Sequence, residues 1–324
     1  MSRPVLMATV ALASYAALNL ALSFVVAAVW RWRAAKQVGI LPAARARQLV
    51  WLRAIPSLGA AAIIALVIAP AFAIFEPDHE SEMAGPLVLV LAAAALLQIG
   101  ASVVMALATL VRTRAAARAW LRSARPLNVD PPAGVPAYTI ESLAPIVALV
   151  GIFTPKLIAA RTVIDSCTTG ELTAIVAHER GHLHARDNLK RWLIACAPDA
   201  LRWLPWHGEL AAAWHDAAED AADDAATRGD EHARVDLAAL LVKIARLTAE
   251  PAWTTAAVSP FVEEDGLDRR VRRLLASGER LSNPSRWWPI AATALFCATL
   301  AGVSSPAAFE RVYQVVESVI RFGR

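Results

Sequence analysis

Charged residues make up only 19% of this 324-residue chain, cysteines number three, and residues 76–85 carry no lysine or arginine. The low charge, set against 57% hydrophobic residues, excludes an ordinary soluble domain. Cys167, Cys196 and Cys297 lie far apart without metal-ligand spacing, which excludes a disulfide framework and suits a reduced compartment. The basic residues flank apolar runs and no nucleic-acid motif accompanies them, so direct nucleic-acid binding is not expected.

What remains is the pattern of a membrane protein. Val5–Trp30, Pro56–Phe75 and Pro86–Val111 are uncharged runs, and each meets the roughly 20 residues needed to cross a bilayer core about 30 Å thick. A fourth run, Trp287–Phe309, follows a long charged region. Val5–Trp30 is too long for a signal peptide and has its basic flank on the wrong side. Basic residues gather at 31–53 and 112–125 and before residue 287, whereas loop 76–85 is acidic. The positive-inside rule then places both termini outside and residues 112–286 in the cytoplasm, in an inner membrane. Trp30, Trp32, Trp51, Trp120, Trp287 and Trp288 fall at run ends, as interfacial rings do.

One stretch of the cytoplasmic region carries chemistry. In the segment 171–188, His178 and His182 are four apart on an expected helix and point two imidazoles at one ion, with Glu179 beside them. Thr168 and Glu171 form a capping box at the helix start, and Leu172, Ile175, Val176 and Leu183 give it an apolar face. On a second expected helix, about 209–227, Glu219 and Asp223 are again four apart. Glu219 completes a His2Glu site for one Zn2+ ion with the fourth position open, and Asp223 accepts the other N–H of a ligand histidine. Glu179 is the expected general base for metal-assisted peptide hydrolysis.

His-Glu-x-x-His followed by Glu-x-x-Ala-Asp, with Leu204-Pro205-Trp206 between them, resembles metallopeptidase family 56, the BlaR/MecR-type membrane zinc peptidases, which are gluzincins. The apolar run 146–155 and Arg186-Asp187-Asn188 resemble the same family, and the similarity covers roughly residues 140–275. Ala222 stands where the family often has Cys. The HtpX-type membrane proteases share the zinc pattern but typically place transmembrane helices between the two metal motifs, and the stretch 189–206 is too short and too charged for that.

The resemblance implies a mainly α membrane protein of four transmembrane helices. Residues 1–111 hold three of them, 112–286 form a cytoplasmic α+β zincin-like domain, 287–309 the fourth span and 310–324 a short outer tail without a Ser-x-x-Lys. It also implies a protein substrate, a transcriptional repressor in a signalling pathway among the candidates. Two alternatives stay open, a broad-specificity quality-control protease and a catalytically silent membrane transducer.

Further expectations concern individual segments. The Pro-rich stretch 127–142 reads as a loop, and Ala144–Ile152 with Lys156–Ile164 as a hairpin. Lys156–Ile164 is the candidate edge strand for pairing with extended substrate, or else a structural strand. Residues 189–206 read as lying along the membrane surface, and Arg269–Arg273 as a solvated basic face. His215 is read as structural, with approach to the site left open. His232 or Tyr138 is a candidate oxyanion stabiliser, and Asp187 a structural acceptor.

Overall fold

The computed structural model describes residues 1–34, 40–75, 84–127, 134–142, 144–202, 204–247, 258–260, 266–276 and 306–321. The acidic loop 76–83, Cys297 and most of the fourth apolar run, 287–305, lie outside the described residues. The helices α1 (Arg3–Ala34), α2 (Pro42–Ile63), a π-helical turn (Ile64–Ile68), α3 (Ala69–Phe75) and α4 (Pro86–Leu121) open the chain. They form three continuous rods, Arg3–Trp32, Pro42–Phe75 and Pro86–Leu121, each long and apolar enough to cross a membrane. The rods overrun the apolar stretches on their basic side. Helical backbone bonding does not end with the lipid, and these overhangs find protein partners: Ala46 and Leu49 pack on α8 (Pro205–Thr227), Ala117 and Trp120 on a sheet.

That sheet contains β1 (Arg125–Pro126), β2 (Ala137–Ile140), β3 (Val147–Val150), β4 (Lys156–Ala160) and β5 (Val258–Pro260), in the order β1-β2-β4-β3-β5. β3 and β4 form the expected antiparallel hairpin. β2 pairs parallel to β4, so Ala137–Ile140 is a strand where a loop was expected. The substrate-strand expectation for Lys156–Ile164 also fails. β4 is an interior strand whose two edges are taken by β2 and β3, and Arg161–Ser166 is helix α5. The strand nearer the candidate site is β3, flanked on its other side by β5.

The sheet lies between the end of α4 and two later helices. One face, with Ile140, Ala148, Val150 and Ile158, meets the end of α4. The other face, with Leu149, Leu157 and Ala159, meets α6 (Thr169–Ala185) and α9 (Glu231–Leu247), the latter through Leu237, Leu241 and Ile244. Burying each of those aliphatic side chains contributes about 1.5–3 kcal/mol. α7 (Asp187–Cys196) follows α6 directly, and α10 (Leu267–Leu275) lies against α9. α11 (Pro306–Arg321) packs Tyr313 between Phe72 and Phe75, at the end of the bundle opposite α8.

Candidate metal centre

The capping box fixes where α6 begins. Thr168 Oγ accepts the Glu171 N–H at 3.3 Å and the Thr168 N–H donates to Glu171 Oε2 at 2.7 Å. Lys243 of α9 grips the same carboxylate at 2.7–2.8 Å, chiefly by which the Glu171 carboxyl is held below its usual range. Three turns on, α6 crosses α8 at Gly181, whose absent Cβ would lie 3.0 Å from Ala222 Cα. A side chain at 181 would press on the Ala222 backbone, and the glycine allows the close approach that brings Glu219 to the histidines.

His178, His182 and Glu219 converge with one donor atom each within 4.8 Å of the others. The Nε2 atoms are 3.1 Å apart; Glu219 lies 3.5 Å from His178 Nε2 through Oε2 and 3.3 Å from His182 Nε2 through Oε1. Donors 2.0–2.1 Å from a tetrahedral ion stand about 3.3 Å from one another, so this triangle has the size a zinc ion requires. Both rings turn Nε2 inward, and a carboxylate stands beside each Nδ1. Asp223 Oδ1 is 3.0 Å from His178 Nδ1, and Asp187 Oδ2 is 2.9 Å from His182 Nδ1. Arg186, in the left-handed region with φ 54°, ends α6 and starts α7 without a linker, which folds Asp187 back onto His182.

Glu179 is fully buried. Its Oε2 accepts the Leu149 N–H of β3 at 3.1 Å, while Oε1 has no partner among the described residues. Burial pushes its carboxyl up to about 7, against the pull of His182 and His178. Burial alone would lower His182, but the Glu219 and Asp187 carboxylates outweigh it and raise the ring to about 10. Glu219 is the converse: burial would raise it, yet His182 and Arg270 hold it well below the ordinary carboxylate range. Glu219 and Asp223, held ionised beside two imidazoles, form a buried cluster that a cation can fill.

Arg270 corrects the reading of Arg269–Arg273 as a solvated face. It is 3% exposed, donates to Asp223 at 2.6 and 3.0 Å, and lies 3.1 Å from Glu219 Oε2. Arg269 pairs with Asp220 and Asp216, and Arg273 with Asp224, so α10 is bound along the acidic face of α8. The signal lay in complementarity: acids at 216, 220, 223 and 224 match arginines at 269, 270 and 273.

The other expected residues fall outside the triangle. His215 Nδ1 stands 4.0 Å from Glu219 Oε1 and is contacted by Arg191 at 2.9 Å. His184 is exposed, bonded to the Arg180 carbonyl. The His232 side chain is fully exposed beside Asp230, which removes it as an oxyanion group. Tyr138 is on β2, two strands from β3. A cavity of about 350 Å³ opens beside His182, walled by Ile152, Phe153, Pro155, Leu183 and Leu189. Phe153 stacks edge-on against Trp192, whose indole N–H donates to the Ala106 carbonyl of α4 at 3.1 Å.

The family model described as peptidase family M48 matches residues 89–247, from α4 through α9 and across both α6 and α8. It is a family of metal-dependent peptidases, and the finer likeness to family 56 read from the motifs is not what it names. No curated protein and no solved structure matches the chain. Over a little under half its length, therefore, this chain is similar to the metallopeptidases of family M48, on a protein with three candidate membrane spans.

Proposed function

We propose that the chain is an integral-membrane zinc endopeptidase, with His178, His182 and Glu219 holding one Zn2+, Asp223 and Asp187 orienting the two rings, and Glu179 as general base. The observation that carries this is the buried Glu179, with Oε1 unpartnered among the described residues, on the same helix as two histidines whose Nε2 atoms converge with Glu219. A zinc ion held there polarises a scissile carbonyl and lowers the pKa of water. Glu179 removes a proton from the attacking water and delivers it to the leaving amine. A carboxyl near 7 suits both halves of that task.

The arrangement favours a substrate that is cytoplasmic or attached to the membrane. Trp192 fastens the cavity wall to α4, and the arginine-rich ends of the rods lie on the same side as the metal helices. α10 lies on the metal side and α11 at the opposite end of the bundle, and in this reading the apolar sequence beginning at Trp287 is the fourth span. Within this reading, the motif likeness to family 56 makes a repressor cut in a signalling pathway the substrate class to test first. Comparing newly formed protein N-termini in cells that express wild type or Glu179→Gln decides the matter. A few termini lost in the variant support a regulatory protease, and identical termini contradict the proposal.

Two consequences are measurable on purified protein. Zinc must displace the proton that His182 holds, its ring being raised to about 10, and His178 is shifted in the same direction. Apparent zinc affinity measured by chelator competition should therefore climb with pH from 6.5 towards 10, about tenfold per unit for each proton released. The sign for the metal-free protein is opposite: charged His182 contributes stability below its unfolded value, and that contribution fades as pH rises towards 10. A flat affinity profile would remove the buried histidines from the ligand set. The cavity beside His182 would take an apolar side chain next to the scissile bond. Phe153→Ala, at a ring 58% exposed, should shift preference towards bulkier residues by about tenfold in kcat/KM. An unchanged preference in a peptide library places that side chain elsewhere.

A further inference from the structure

The connection between α7 and α8 does not lie along the membrane surface as its composition implies; residues 197–201 enter the bundle of α1, α2 and α4. Asp199, 2% exposed, accepts from Arg53 of α2 at 2.9 Å and from Ser23 of α1 at 2.8 Å. Arg53 also donates to the Ala197 carbonyl at 3.0 Å. Asn19 donates to the Pro198 carbonyl at 3.2 Å and accepts the Ala200 N–H at 2.9 Å, and Ser57 donates to Pro198 as well. Gln98 of α4 reaches Asn19 at 2.9 Å. Asn19 and Ser23 lie in the apolar middle of the α1 rod, and Asn19, Ser23, Arg53 and Asp199 are all buried.

Irregular backbone at such a depth survives only where protein groups satisfy it, and polar residues inside spans are costly enough to mark function. A buried ion pair is weak evidence of stability, because desolvation cancels most of the attraction. What it fixes is geometry. The connection joins α7, whose Asp187 orients His182, to α8, which carries Glu219. The same α2 that holds Asp199 packs Ala46 and Leu49 against the face of α8 that includes Trp214, Ala217 and Ala218. Glu219 is the next residue.

We propose that Arg53, Ser23 and Asp199 form a latch in the membrane bundle that positions Glu219 against His178 and His182, so that the arrangement of the spans sets the metal affinity of the site. Arg53 and Asp199 are positioning residues that touch neither metal nor substrate. A rearrangement of α1, α2 and α4 that withdraws Arg53 from Asp199 loosens the one ligand that α6 does not carry. A signal acting on the spans thereby has a physical route to the site.

This inference rests on the zinc reading of the triangle, and the experiment separates the two. The full-length chain in detergent is titrated with zinc against a competing chelator, for wild type, Asp199→Asn, Arg53→Met and the double variant. Folding is checked by near-UV circular dichroism. The expected result is a loss of about tenfold in affinity for each single variant, the lower end for groups that orient metal ligands. The double variant should be no worse than the poorer single, and Arg53→Lys should fall in between. Folded variants that bind zinc as wild type does, or single losses that add in full, overturn the latch while leaving the zinc site standing. A wild type that binds no zinc overturns the reading on which the latch depends. If Asp199→Asn does not accumulate as folded protein, Ser23→Ala removes one bond to the same carboxylate. A smaller loss of affinity there supports the latch and an unchanged affinity overturns it.

Discussion

Glu179→Gln should lower peptide hydrolysis by about 10²- to 10⁴-fold while leaving bound zinc unchanged. The replacement keeps the shape of the side chain and one acceptor oxygen for the Leu149 N–H, now 3.1 Å from Oε2. It puts an amide, which takes up no proton, where the unpartnered Oε1 stands. None of the three donors of the triangle is touched. Assay of cleavage and metal content on one preparation separates loss of the base from loss of the site. Retained cleavage in a zinc-loaded variant would assign the base to another group and leave Glu179 as a β3 anchor.

The second large effect is expected at Arg270. Arg270→Ala leaves Asp223 and Glu219, both buried, without the guanidinium that lies between them. Removing one partner of a buried ionic cluster costs about 3–5 kcal/mol, because the remaining charge stays desolvated. For a protein of this size that is a fall in apparent Tm of about 4–7 °C, measured without zinc. Zinc should recover part of the loss, since the ion supplies positive charge to Glu219. Asp223 carries no such ligand role, so recovery should be incomplete. A variant as stable as wild type would mean that the acids of α8 do not depend on the arginine for their compensation.

These two predictions draw on different kinds of information. Glu179 and its neighbours were legible because their spacing is local. Histidines at 178 and 182, acids at 219 and 223, and the Thr168–Glu171 cap are all fixed by one helical turn, and each occurs where a turn places it. Arg270 was not legible in that way. A run of arginines is usually solvated, and its acids stand about fifty residues upstream on a helix whose contact with α10 is purely tertiary. Gly181 is intermediate: a glycine between two histidines is visible, but its reason, the backbone of Ala222, is not.

The sheet shows the same limit. Val147–Val150 and Lys156–Ala160 announce a hairpin, because a hairpin is local. The parallel partner of β4 is Ala137–Ile140, from a proline-rich stretch that reads as a loop, and this pairing turned the expected edge strand into an interior one. The membrane rods were legible as apolar runs. Their overhangs were not, since the arginines that end an apolar run do not end a helix. Asp199 gave no local sign of its role, being one acid within an aromatic and basic stretch whose partners come from three separate helices.

On the proposed reading, two imidazoles and a carboxylate from α6 and α8 hold one zinc ion. X-ray absorption at the zinc edge on the purified full-length chain, beside Glu219→Gln, tests it most directly. The expected result is about one zinc per wild-type chain, with two imidazole nitrogens and oxygen donors at about 2.0–2.2 Å, and loss of most of that metal in the variant. Sulfur donors in the wild type, or the same zinc content and first coordination shell in both proteins, would contradict it.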